Sequence, residues 1–167
     1  MQLLASLEHS AFGTWVREAP TIWAYATILF LHTVGLGFVV GANVAIDLRI
    51  LGVASDMPLA PMRKLFPWMW AGFIVNALSG VALLIADATT KLTNPAFGVK
   101  MAFIALGVAN MAWSKRKLFD DPEIDRAPIS AHAKRVAIAS IILWIGATTA
   151  GRLMGYLGPV SGLESLN

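Results

Sequence analysis

Four long stretches of this sequence carry almost no charge, and that limits the possible folds more than any other feature. They cover residues 22–46, 65–86, 96–114 and 136–157, and the only formal charges inside them are Lys100 and Arg152. A helix needs about 20 apolar residues to cross roughly 30 Å of hydrocarbon, so each stretch is long enough to span a bilayer or nearly so. Strands of a membrane barrel would alternate over about 10 residues between turns; these blocks are continuous and about twice as long. In lipid the backbone must close its own hydrogen bonds, which a helix does and a lone strand does not. Charged residues make up 14% of the chain and hydrophobic ones 57%, whereas soluble domains hold about 25% charged residues. The expected fold is all-α, an integral membrane four-helix bundle forming one domain over residues 1–167.

The net charge of +3 is explained by where the basic residues fall. Arg49, Arg63 and Lys64 lie between the first two spans, and Lys115, Arg116, Lys117, Arg126, Lys134 and Arg135 between the last two. Such clustering marks the cytoplasmic side. It places the chain in a bacterial inner membrane with both termini on the periplasmic side, and it leaves no call for a nucleic-acid partner. Cysteine is absent, which excludes disulfides, thiolate nucleophiles and cysteine-held metal clusters. The start lacks the basic region of a secretory signal and carries Glu8, Arg17 and Glu18, so it reads as part of the mature protein. Leu3, Leu4, Leu7, Ala11 and Trp15 recur at helical spacing. They predict an amphipathic helix over residues 3–18, lying at the outer membrane interface and ending at Pro20. Trp15, Trp23 and Tyr156 would form an outer aromatic belt and Trp68, Trp70 and Trp113 an inner one, with Trp144 packed inside a span.

A few residues within the spans could carry chemistry. His32 lies in the outer half of the first span, and Tyr25 and Asn43 share its helical face. Polar groups are expensive against lipid, so this face is expected to look into the bundle. Two readings of His32 stand: a neutral imidazole bonded to a neighbouring helix, or an axial ligand to haem b, a metal or a proton. His9 and His132 are poorly placed to be a second ligand; Met101 or Met154 could serve. Lys100, Arg152 and Asp87 converge on the same outer half, with Tyr156 one turn beyond Arg152. Either Lys100 snorkels to the interface and Arg152 pairs with Asp87 or helix-end carbonyls, or the cations hold an anion such as haem propionates, a quinone head group or a carboxylated substrate. Asn76, Gly80 and Asp87 suggest a polar seam along the second span. Asp47 and Arg49 read as a local ion pair closing the first span. Gly37 with Gly41, and Gly151 with Gly155, have the spacing of close helix packing, within the bundle or between protomers. No phosphate loop, zinc signature, nucleophile–histidine–acid set or dinucleotide fingerprint is present.

The runs His32-Thr33-Val34-Gly35-Leu36-Gly37, Asp47-Leu48-Arg49-Ile50-Leu51-Gly52, Asn94-Pro95-Ala96-Phe97-Gly98-Val99-Lys100 and Gly151-Arg152-Leu153-Met154-Gly155-Tyr156 carry a resemblance. Across nearly the whole chain it resembles an uncharacterised family of small four-helix bacterial inner-membrane proteins, which implies the fold and no established activity. More remotely it is similar to CopD-like copper-resistance proteins and b561-type cytochromes, although it lacks the paired histidines of the latter and any methionine- or histidine-rich loop. The expected function is a small subunit without catalytic activity of its own. It would anchor or pack against a larger, redox membrane complex or a second copy of itself, with haem b held by His32 as one option. The alternatives are a stand-alone b-type electron carrier, or a carrier or sensor for a small molecule or copper.

Overall fold

Three ends of the long helices fall where the sequence supplies a cap. The computed structural model describes residues 2–126 and 128–156; Met1, Ala127 and residues 157–167, which include the expected end of the fourth span, lie outside it. Two short helices, α1 (Gln2–Glu8) and α2 (Ala11–Glu18), precede the long α3 (Tyr25–Leu51). Then come α4 (Leu65–Ile85), the short α5 (Ala88–Thr93), α6 (Pro95–Ser114) and α7 (Ala131–Leu153). Gly52 closes α3 in the left-handed region, with φ of 107° and its N–H on the carbonyls of Arg49 and Leu48, a conformation that costs glycine little. Asn94 caps α6 through Oδ1 on the Ala96 amide (2.9 Å), with Pro95 at the first helical position. Ser130 caps α7 on the Ala133 amide (3.1 Å). Two of these caps account for shifts from the sequence expectation: the first long helix runs five residues further, to Leu51 before Gly52, and the fourth starts five residues earlier, after Ser130. The first long helix also starts three residues later, at Tyr25.

α3–α4 and α6–α7 are antiparallel hairpins, and contact between α3 and α7 joins them. Both hairpin loops lie at one end of the bundle, called here the basic end, and α5 links α4 to α6 at the other. At the basic end Asp125 accepts from the amides of Leu59 (2.6 Å) and Ala60 (3.0 Å), and Arg63 pairs with Asp120 at 2.9 Å. Beneath them Ile46, Ile50, Phe66, Met69, Met111 and Phe119 form the larger buried cluster. The outside of the bundle is inverted relative to a soluble protein. Phe30, Phe38, Ile74, Leu78, Leu106, Ile142 and Ile145 are all exposed, a continuous apolar surface that requires lipid. The chain is a multi-pass helical membrane protein.

Four glycines let the helices approach, and they are not the four that the spacing singled out. A Cβ on Gly35 would stand 2.7 Å from the Asn76 nitrogen and the Gly72 carbonyl oxygen, and one on Gly72 would meet Phe38 at 2.7 Å. In the second hairpin Phe103 sits over Gly146 and Trp144 over Gly107. Gly37 and Gly41 face outward, and a methyl group on either would meet nothing within 4 Å; Gly155 touches only its own helix backbone. Gly151 is different, since it makes room for the Lys100 side chain at 3.6–3.8 Å.

The N-terminal segment is helical in two pieces, broken at His9 and restarted by Ser10, whose Oγ accepts from the Gly13 amide at 3.1 Å. It is latched to the end of the bundle remote from the basic loops. Glu8 accepts from the Thr89 amide (3.0 Å) and hydroxyl (2.6 Å), and Arg17 donates to the Ala86 carbonyl (3.2 Å). Val16 is wholly buried, while Leu3, Leu7, Phe12 and Trp15 remain exposed, the arrangement of a helix pair lying at a membrane interface.

Two outcomes are expected. Gly35→Ala should lower unfolding stability by about 1–3 kcal/mol through overpacking against backbone. Gly37→Ala should be neutral or stabilising by up to about 1 kcal/mol from helix propensity; a reversed order in detergent unfolding would contradict the packing described. The hydrogen bonds from Thr89 hold the Glu8 carboxyl below the usual carboxylate range. A depressed folded-state value stabilises above the unfolded value and is lost as pH falls through the folded one. Protection factors of α1 amides, taken against the intrinsic exchange rate at each pH, should therefore fall on acidification in the wild type and lose that pH dependence in Glu8→Gln.

Candidate functional site

The site is built around one latch between α3 and α4. His32 Nδ1 lies 2.9 Å from the Asn76 carbonyl oxygen and 3.2 Å from Ser79 Oγ, and Asn76 Nδ2 donates to the His32 carbonyl at 2.7 Å. Each residue thus binds the backbone of the other. Gly80 leaves room for the ring, since a Cβ there would stand 3.0 Å from His32 Cε1. A carbonyl can only accept, so Nδ1 carries the proton and Nε2 keeps its lone pair. No protein partner for Nε2 occurs among the described residues. The imidazole is positioned by α4 and keeps one unused nitrogen.

His32 borders a cavity of about 380 Å³ lined by α3, α4, α6 and α7, whose floor is Val39 and Trp144. A second space of about 470 Å³ continues toward α5 and shares Leu29, His32, Lys100 and Gly151 with the first. The walls are largely apolar, including Leu36, Phe73, Ile104 and Ala147. The polar groups that converge on them are His32, Asn76, Thr148, Lys100 and Arg152, with Asp87 and Lys91 in the outer part.

The charges do not cancel. Lys91 Nζ lies 3.6 Å from Asp87 and donates to the Leu83 carbonyl at 3.1 Å. Asp87 is therefore engaged by Lys91 and not by Arg152, because the i, i+4 neighbour is nearer. Among the described residues neither Lys100 nor Arg152 has an acidic partner. Among the described residues the cavity therefore presents two cations without acidic partners and one imidazole lone pair above an apolar floor. It can take an anion with an apolar body, and the imidazole can accept a hydrogen bond from it.

His32, Lys100 and Arg152 border the same cavity, with Gly151 among its walls. The Lys100 side chain lies along Gly151 and also borders the outer space. Tyr156 is 67% exposed beyond the end of α7 and borders neither space. Tyr25 lines the outer space and Asn43 is buried further down the same face of α3. Met154 also lines the outer space, while Met101 faces outward. His9 is exposed at the α1–α2 break, and His132 packs edge-on to Trp113 at the basic end, with ring centroids 5.2 Å apart. Among the described residues no group of three or more histidine, cysteine, aspartate or glutamate side chains could hold a metal ion. Ser79 was not singled out from sequence; its place next to Gly80 on the His32-facing side of α4 was its only signal.

The Asp47–Arg49 pair expected from sequence does not form. Residues two apart on a helix point to different sides. Arg49 reaches the carbonyls of Ser55 and Met57, while Asp47 is 2% exposed inside the bundle.

No curated protein and no solved structure matches the chain. The likeness to copper-resistance proteins and b561-type cytochromes therefore rests on the sequence features alone. The family model of DUF6644 matches residues 8–157, and the chain belongs to this family of unknown function.

Proposed function

We propose that this chain is a binding protein of the bacterial inner membrane, without catalytic activity of its own. Its occupant would be a lipid-soluble anion, quinone-like or carboxylated, with the head group between Lys100, Arg152 and His32 and the apolar body above Val39 and Trp144. The observation that carries this reading is the pair of cations without acidic partners among the described residues, beside an apolar cavity. The basic loops support an orientation with the cavity in the periplasmic half of the bilayer and both termini on that side. Holding such a molecule suits a carrier, a sensor, or the small subunit of a redox complex that presents it to a partner. Gly37 and Gly41, facing outward on α3, favour the subunit version, since small residues on a lipid-facing helix invite a second helix. Haem b fits less well: His32 offers one axial nitrogen, and no second histidine borders either space among the described residues, which leaves weaker ligands such as the Met154 thioether.

The test is extraction of small molecules from protein purified in mild detergent, read by mass spectrometry beside a visible spectrum. A single anionic amphiphile should be retained by the wild type and fall at least tenfold in the Lys100→Gln/Arg152→Gln variant. Each charge-assisted bond is worth about 1.5–3 kcal/mol, and every 1.4 kcal/mol is about tenfold in affinity. Equal retention by both proteins would overturn the proposal. A b-type spectrum abolished by His32→Ala would replace it with the electron-carrier reading.

A further inference from the structure

Below the cavity floor, toward the basic end, the interior holds polar atoms that find no hydrogen-bond partner among the described residues. Asn43 Nδ2, Asp47 Oδ2, Asn110 Oδ1, Ser140 Oγ and Trp144 Nε1 are all buried without a hydrogen-bond partner. Four of these five residues follow the α3–α7 contact. Asn43 and Asp47 are one turn apart on α3, and Ser140 and Trp144 one turn apart on α7. They are 4%, 2%, 0% and 2% exposed. Ser140 stands beside the Asp47 carboxyl without a formed hydrogen bond. Asn110 joins them from α6, donating to the Val136 carbonyl one turn below Ser140 (3.1 Å). Trp144 belongs both to this line and to the cavity floor, so the line prolongs the cavity inward. From His32 to Asp47 is fifteen residues, about 22 Å along the helix.

The chemistry of the unsatisfied atoms selects the occupant. Asn43 Nδ2 and Trp144 Nε1 can only donate; Asp47 Oδ2, when ionised, and Asn110 Oδ1 can only accept. A cation would serve the acceptors and leave the donors unmet, and an anion the reverse. Water serves both and is the usual partner of buried polar groups of mixed kind. We infer that waters fill this seam and that Asp47 is a proton-binding site within it. Its carboxylate takes a proton from water, and the acid returns that proton to the chain of waters, with only O–H bonds forming and breaking. Charged residues inside membranes mark such relays, and no compensating charge faces this one among the described residues. Arg49 on its own helix is turned to loop carbonyls. At this depth α4 contributes Phe66 and Met69, α6 Met111 and Ser114, and α7 Ala133, Ala137 and Ser140. Of the ionisable groups toward the basic end, Arg63 pairs with Asp120, His132 packs on Trp113, Lys64, Arg116, Lys117, Lys134 and Arg135 are exposed, and Lys115, half-buried after Ser114, makes no ion pair with Asp47.

The experiment is infrared difference spectroscopy of the full chain in lipid nanodiscs, titrated from acid to mildly alkaline pH in H2O and in D2O. The expected result is the carbonyl stretch of a buried carboxylic acid that appears as pH falls and shifts in D2O within minutes. It should be missing from Asp47→Asn, a near-isosteric change that keeps the fold. It should return at a displaced frequency in Asp47→Glu, and Ser140→Ala should displace the wild-type band while the helix content stays unchanged. No Asp47-dependent band at any pH, a band that never titrates, or one that does not exchange with D2O would each overturn the inference.

Discussion

The reciprocal bond between His32 and Asn76 is the constraint on which the rest of the arrangement depends. Helices in lipid gain little from apolar contact, because lipid tails are as apolar as the side chains they would replace. Close backbone approach and interhelical hydrogen bonds have to supply the specificity. Here Gly35 and Gly72 bring α3 and α4 together, and at that separation the imidazole reaches one backbone carbonyl while the amide of Asn76 reaches another. The same bond fixes the tautomer of His32 and turns its free nitrogen away from α4. A structural device thereby determines the chemistry the cavity can offer.

The second hairpin supplies the charge. α6 and α7 are joined by Phe103 over Gly146 and Trp144 over Gly107, which sets Trp144 as the floor of the cavity and leaves Lys100 and Arg152 above it. Ionised groups within a membrane are costly unless paired or hydrated. Among the described residues, two cations without acidic partners and one buried carboxyl without a cation, separated along the bundle, form an arrangement that neutral packing would not need. The larger apolar cluster at the basic end, around Phe66 and Met69, carries the ordinary burden of holding the bundle, so the polar interior is free to serve binding and proton exchange.

Much of the fold was legible because lipid leaves few options for an uncharged block of twenty residues. The inward face of α3 was legible too: His32 and Asn43 are eleven residues apart, close to three full turns. That face also shows which way the glycines point. Gly35, three residues after His32, lies near the same side, whereas Gly37 is five residues on, about 140° away at 3.6 residues per turn. Spacing between glycines says that a flat patch exists, not which way it points. Asp47 lies four residues after Asn43 and so belongs to the inward face. Reading it as the partner of Arg49 followed proximity in sequence over direction in space. What could not be read was the Gly107–Trp144 and Gly146–Phe103 pairing, since it depends on the register between two helices. The engagement of Asp87 by Lys91 instead of Arg152 depended likewise on where α5 begins.

The most direct measurement is the nitrogen-15 spectrum of imidazole-labelled protein in lipid nanodiscs at neutral pH, with His32 assigned by comparison with His32→Gln. The account requires a neutral His32 with the proton on Nδ1 and a bare Nε2. A His32 protonated on Nε2, or a ring that averages between tautomers, would mean that Asn76 does not hold it. The cavity would then lose the acceptor around which its proposed occupant is placed.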